Sequence, residues 1–133
     1  MRRSLFLSIL ISICTLSNAQ GNLCAPNEVF TIAEKMPKLL SSPQQIKASI
    51  NEKMILKPKD KGKVFVRCTI DCNGKLIHAE IQRAEVYIST ARLLALIQLE
   101  CAFQAALQRG EPVNCYFSLG FSFKKGKCVD IIY

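Results

Sequence analysis

Residues 62–83, which read GKVFVRCTIDCNGKLIHAEIQR, carry the strongest structural signal in the chain. Every second side chain over residues 64–70 is apolar, and this is the period of a β-strand. In the first half of this segment, one face of the predicted strand is apolar and consists of Val64, Val66, Cys68 and Ile70. Asn73-Gly74 follows, and Asn-Gly is the strongest short hairpin signal. Residues 75–83 therefore predict the return strand, with Ile77, Ala79 and Ile81 on one face.

A helix is predicted on each side of this hairpin. Upstream, Ser42-Pro43 resembles a helix start, with serine as the N-cap and proline at the first helical position. Ile46, Ile50 and Met54 then recur at spacings of four, and Pro58 ends the pattern. Downstream, residues 90–107 carry apolar side chains with the period of an amphipathic helix, and Gly110 is a natural stop.

Residues 112–123, PVNCYFSLGFSF, predict a last long strand with one strongly apolar side. A short strand over residues 28–32 fits the pattern upstream of the first helix. The order helix, hairpin, helix, strand predicts an α+β domain in which two helices pack on a three-stranded antiparallel sheet. The 133 residues suit a single domain, whose core we place at about residues 28–124.

The first nineteen residues are typical of a secretory signal peptide. Met1-Arg2-Arg3 is basic, residues 5–16 are mostly apolar, and Ser17 and Ala19 are small residues before a cut at Gln20. An uncleaved N-terminal anchor is the alternative. Removing residues 1–19 lowers the Lys+Arg count from 18 to 16 against 10 acidic residues, so the charge of the 20–133 domain is +6. We expect an exported protein, either periplasmic or secreted.

Six cysteines remain after Cys14 leaves with the signal, and an even number in a small exported domain predicts disulfides. If the last strand runs antiparallel to the first, Cys68 comes level with Cys115, the second helix brings Cys101 near Cys72, and Cys24 and Cys128 pair at the termini. Cys68 and Cys115 could equally be buried free thiols that pack as small apolar residues. Structural zinc needs a second close pair beside Cys68 and Cys72, which the sequence lacks.

The sequence favours binding over catalysis. His78 is the single histidine, and its place in the return strand predicts that it faces solvent. The carboxylates form no close pair, no glycine-rich phosphate loop occurs, and a cysteine nucleophile would need a free thiol of low pKa. We therefore expect no enzyme, cofactor or metal. Nucleic acid is not an expected partner, because no aromatic residues are interleaved with the basic ones.

Three motifs in this order resemble the C-terminal domain of TonB, the energy transducer of Gram-negative outer-membrane transport. They are Gly62-Lys63-Val64 at the strand start, Asp71-Cys72-Asn73-Gly74 at the hairpin turn, and Arg109-Gly110-Glu111-Pro112-Val113 at the opening of the last strand. The segment Ala33-Glu34-Lys35-Met36-Pro37 is similar to one that precedes such domains in Bacteroidetes-type proteins. The resemblance covers roughly residues 28–124 and implies the helix-hairpin-helix-strand fold predicted above.

The resemblance also implies a function, namely capture of a peptide by strand addition in outer-membrane transport. In the family the peptide comes from near the N-terminus of a TonB-dependent outer-membrane receptor. Carried over to this chain, the last strand would be the peptide-binding edge, with Asn114, Tyr116, Phe117, Ser118, Gly120 and Ser122 as its site residues. Residues 1–133 include no proline-rich spacer like that of the family's transducers, so a second hypothesis stays open: a secreted, disulfide-stabilised interaction module without a transport role.

Basic residues cluster in residues 53–63 and 124–127. They are either solvated loops or a surface that attracts an acidic partner or anionic lipid, so membrane contact would be peripheral at most.

Overall fold

The computed structural model describes residues 24–25 and 28–133. The predicted signal peptide, residues 1–19, lies outside the described residues. Within the described part of the chain, no helix is both long enough and apolar enough to cross a bilayer.

The chain forms two helices and eight strands in its described part. In order these are β1 (Lys38–Leu39), α1 (Pro43–Lys53), β2 (Gly62–Ile70), β3 (Leu76–Ala84), α2 (Thr90–Glu100), β4 (Phe103–Gln104), β5 (Ala106–Gln108), β6 (Glu111–Val113), β7 (Cys115–Lys124) and β8 (Lys127–Ile132). The main sheet is four-stranded and antiparallel, in the order β3-β2-β7-β8. Two further two-stranded sheets are formed by β1 with β4 and by β5 with β6.

Both helices cover the same face of the main sheet. The predicted apolar face of β2 is buried, and Val64, Val66 and Cys68 have no exposed surface. Ile46 and Ile50 of α1 and Leu93 and Ile97 of α2 join them, together with Leu119, Phe121 and Phe123 of β7, in one hydrophobic core. α1 lies along the β8 side of the sheet and α2 along the β3 side.

The three-stranded sheet predicted from the sequence is wrong, because β8 adds a fourth strand outside β7. β8 returns through Lys125-Gly126, where φ is 52° and 73°. Positive φ at both central residues is the type I′ turn, whose twist suits a hairpin. The glycine is also required by packing, because a Cβ there would lie 2.6 Å from the carbonyl oxygen of Lys57.

The second helix is shorter than predicted. It begins at Thr90, where the Ser89 hydroxyl accepts a hydrogen bond from Arg92 N, but it ends at Glu100 and not at residue 107. The chain beyond it is extended and forms β4 and β5. Phe103 in this segment packs edge-on against Phe117 of the sheet, with ring centroids 5.5 Å apart. Tertiary packing thus overrides helical periodicity after residue 100.

The hairpin of β2 and β3 is confirmed, but one residue of its return strand faces the other way. The register shifts between Thr69 and Ile70, so Leu76 and not Ile77 pairs with Ile70. Leu76 is buried, whereas Ile77 is 51% exposed. Asp71 shapes the turn, because its Oδ1 accepts hydrogen bonds from the N–H groups of Asn73 and Lys75.

One disulfide is present, between Cys24 and Cys72. It ties the start of the described chain to the hairpin turn. The three predicted pairings are wrong, since Cys68, Cys101, Cys115 and Cys128 are free thiols. The strand register gives a reason: Cys68 lies opposite Phe117, and Cys115 lies opposite Ile70. The alternative that Cys68 and Cys115 are buried free thiols is confirmed.

Candidate functional site

The predicted binding strand, β7, is not an edge of the sheet along its second half. Gly120 pairs with Ile132, and Ser122 pairs with Asp130 on β8. On the other side, Ser118 and Tyr116 lie opposite Arg67 and Thr69 of β2. The assignment of the last strand as the peptide-binding edge is therefore overturned for Gly120 and Ser122.

The first half of β7 is largely covered by the N-terminal segment. Phe30 N donates to the carbonyl of Asn114 (2.9 Å), and Tyr116 N donates to the carbonyl of Phe30 (3.0 Å). The Asn114 side chain is buried, accepts from Cys72 N and donates to Ala25 O. Of the six predicted site residues, Ser118 alone is classed as exposed, and Phe117 packs toward the core.

The outer strand β8 is shielded at one position of its free edge, Cys128. The Asn51 side chain of α1 donates to the carbonyl of Cys128 (3.2 Å) and accepts from its N–H (2.7 Å). This paired contact imitates a neighbouring strand. It is one of the ways in which proteins protect a sheet edge from added strands.

The edge of β3 is open. Glu85 N donates to Lys63 O (2.8 Å), so the backbone groups of Lys63 point toward β3. Because backbone groups point to alternate sides along a strand, those of Arg67 and Thr69 also point toward β3. Their partners, Glu80 and His78, therefore point back toward β2. Ala79 and Ile81 must then direct their N–H and C=O groups away from the sheet, where the described part of the chain places no strand.

An apolar groove lies beside this open edge. It is a shallow, open groove of about 480 Å³, lined by Ala79 of β3 and by Leu94, Ala95, Gln98 and Leu99 of α2. Leu99 is 74% exposed, although it lies on a helix that packs against the core. Gln98 fixes the helix to the strand, because its Nε2 donates to the carbonyl of Leu76 (3.3 Å). The edge and the groove together form what we call the β3 site, defined by β3 and these α2 residues.

The opposite face of the sheet, which no helix covers, is polar next to the β3 site. Arg67 pairs with Glu80 of β3 and stacks over the Tyr116 ring, 4.5 Å from its centroid. His78 lies 3.8 Å from Glu80 and its side chain is 65% exposed, so it faces solvent as predicted. An extended segment bound on β3 would therefore have an apolar groove on one side and charged side chains on the other.

The free thiols are poorly suited to nucleophilic chemistry. Burial raises the pKa of Cys68 to about 12, and Cys101 beside it adds to the shift. Burial likewise raises the pKa of Cys101 and Cys128 to about 11. A reactive cysteine needs its pKa lowered so that the thiolate forms near neutral pH. Across residues 24–25 and 28–133, no group of three or more His, Cys, Asp or Glu side chains is placed to hold a metal ion.

The β3 site was not predicted from the sequence. The exposed leucine of α2 was a signal, because Leu99 lies off the apolar stripe formed by Leu93 and Ile97. The openness of the β3 edge had no local signal, because it requires that the last strand of the chain, β8, adds beside β7 and not beside β3. Comparisons with protein-family models, with curated proteins and with solved structures find no match to this chain.

Proposed function

We propose that this chain is an exported protein-binding module that takes an extended segment of its partner as a fifth strand on the edge of β3. The observation that carries the proposal is the outward-directed backbone of Ala79 and Ile81 beside the apolar groove of α2. Strand addition of this kind obtains affinity from main-chain hydrogen bonds and specificity from pockets for alternate side chains.

The geometry of the β3 site limits what it can bind. An added strand would direct alternate side chains toward Leu94 and Leu99 on one face and toward His78 and Glu80 on the other. The partner segment should therefore alternate apolar and polar residues. The β2–β3 register shifts on either side limit the regular part of the edge to about residues 78–81. Few main-chain hydrogen bonds to a partner strand can therefore form. We expect an affinity on the order of micromolar.

A narrower form of the proposal places the module in TonB-dependent outer-membrane transport, in the periplasm of a Gram-negative bacterium. Its support is the resemblance in residues 62–64, 71–74 and 109–113. The partner segment would then come from near the N-terminus of a TonB-dependent receptor. The alternative is a secreted interaction module without a transport role. The Cys24–Cys72 disulfide is compatible with both, because both place the protein in an oxidising compartment.

The test is a selection of displayed random peptides on the immobilised protein, followed by affinity measurement with the recovered peptides. Three variants locate the binding site. Ala79→Pro removes an outward N–H at an edge position, where proline is tolerated. Leu99→Lys places a charge in the groove. Ile32→Lys is the matched control, because Ile32 is 79% exposed and Leu99 is 74% exposed, but Ile32 lies outside the β3 site.

We expect alternating apolar-polar peptides whose affinity falls at least tenfold, about 1.4 kcal/mol, in Ala79→Pro and Leu99→Lys and is unchanged in Ile32→Lys. An equal loss of peptide affinity in all three variants would contradict the proposal. The same affinity in Ala79→Pro as in the unmodified protein would also contradict it. Peptides copied from the N-terminal segments of TonB-dependent receptors distinguish the transport role from the secreted module. Competition by those peptides supports the transport role, and binding of selected peptides without such competition supports the secreted module.

A further inference from the structure

The fold joins two lysine-rich loops that are far apart in the sequence. The loop between α1 and β2 contacts the β7–β8 turn, since Gly126 N donates to the carbonyl of Asp60 (3.2 Å). Lys63 also lies opposite Ser122, two residues before Lys124 at the turn. The result is a lysine end of the sheet, made of seven exposed side chains: Lys57, Lys59, Lys61, Lys63, Lys124, Lys125 and Lys127.

These lysines are available to a partner. Across residues 28–133, the ion pairs formed by lysine or arginine involve Lys53, Arg67 and Arg83 and none of the seven. The acidic side chains nearby are Asp60, Glu85 and Asp130. Asp60 is buried and accepts a hydrogen bond from Lys57 N (2.7 Å), and Glu85 pairs with Arg83. The lysine end therefore keeps a strong positive excess.

We propose that the lysine end docks the protein on an anionic lipid surface. Lysine is a strongly hydrated point charge without the fork geometry that arginine uses to recognise individual carboxylates, so a lysine cluster suits a diffuse layer of anionic headgroups. Ile55 strengthens this assignment over an acidic protein. It is 81% exposed, two residues before Lys57, and offers an apolar side chain to the headgroup region.

The proposal is independent of the β3 site. The edge of β3 runs along one side of the sheet, whereas the lysine end lies at the end where β2 begins and β7 finishes. Docking on lipid would hold the molecule at a membrane surface while leaving the β3 edge open to a partner.

The test is co-sedimentation of the exported protein with phosphatidylcholine vesicles, with and without phosphatidylglycerol, at low and high salt. We expect binding only to the vesicles that contain phosphatidylglycerol, weakened by salt. The triple variant Lys59→Gln, Lys61→Gln, Lys124→Gln should lose about fivefold in partitioning per lysine, roughly a hundredfold in all. Ile55→Ser should lower binding without changing its salt dependence.

The matched control is Lys35→Gln, Lys38→Gln, Lys75→Gln, which removes the same charge outside the lysine end. Lys75 follows the β2–β3 turn, and Lys35 and Lys38 pair with Leu107 and Gln104. This control should retain binding within about twofold of the unmodified protein. Equal losses in both triple variants would overturn the proposal, because binding would then follow net charge alone. Failure to bind phosphatidylglycerol vesicles at low salt would overturn the proposal, and tight binding of polyglutamate in that case would indicate an acidic protein partner.

Discussion

Removing the Cys24–Cys72 disulfide should destabilise the protein strongly. The bond closes a loop with a sequence separation of 48 residues. In the chain-entropy model such a cross-link removes about 14 cal/mol/K from the unfolded ensemble, which corresponds to about 4 kcal/mol at room temperature. A domain of this size is typically stable by only about 5–15 kcal/mol, so the loss is a large share of the total.

The assay is urea unfolding of the double variant Cys24→Ala, Cys72→Ala beside the unmodified protein. Cys101→Ala is the control, because it removes a half-buried thiol without cutting a cross-link, and it should cost about 1 kcal/mol. A loss of less than about 1 kcal/mol in the double variant would refute the reasoning. Peptide mapping of the non-reduced protein tests the connectivity itself. A disulfide found between Cys24 and a cysteine other than Cys72 would refute it.

Two further predictions concern the two interior strands of the main sheet, β7 and β2. A Cβ at Gly120 would approach both Phe65 and Ile132 to 3.1 Å, so Gly120→Val should lower the unfolding free energy by about 1–3 kcal/mol in urea, and an unchanged midpoint would contradict this packing. Burial raises the pKa of Cys68 from 9.0 to about 12, so the unfolded chain loses this proton first. The contribution of the protonated Cys68 thiol to the free energy of unfolding is therefore fully present below pH 9. It is lost as the pH rises toward 12, by about 1.4 kcal/mol per pH unit. Urea unfolding above pH 9 should show that the free energy of unfolding falls less steeply with pH in Cys68→Val than in the unmodified protein. Equal slopes in the two proteins would contradict a raised pKa at Cys68.

The elements that the sequence predicted correctly have strong local signals. β2 alternates over nine residues, and Ser42-Pro43 marks the true start of α1. β8 was missed because its turn is Lys125-Gly126 and not the usual Asn-Gly, although the turn has the same positive φ values. The end of α2 was misplaced because residues 101–107 carry helical periodicity, while their extended course depends on packing of Phe103 against Phe117.

The candidate site lies on a different strand from the one predicted, and strand addition itself stays a prediction. Strand addition was expected on β7, which would be an edge of a three-stranded sheet. One unforeseen strand, β8, converts the second half of β7 into an interior strand, and Phe30 bonds to Asn114 and Tyr116 on the part that β8 leaves uncovered. Whether a strand is an edge is a property of the whole sheet, so local alternation within residues 112–123 could not establish it.

The most direct test of strand addition on β3 is amide hydrogen exchange at Ala79, Glu80 and Ile81, measured by NMR before and after saturation with a selected peptide. In the free protein we expect fast exchange at Ala79 and Ile81 and slow exchange at Glu80, whose N–H points toward β2. Saturation with peptide should slow exchange at Ala79 and Ile81. Slow exchange at these two amides in the free protein, or no change at either one when peptide is bound, would contradict the account.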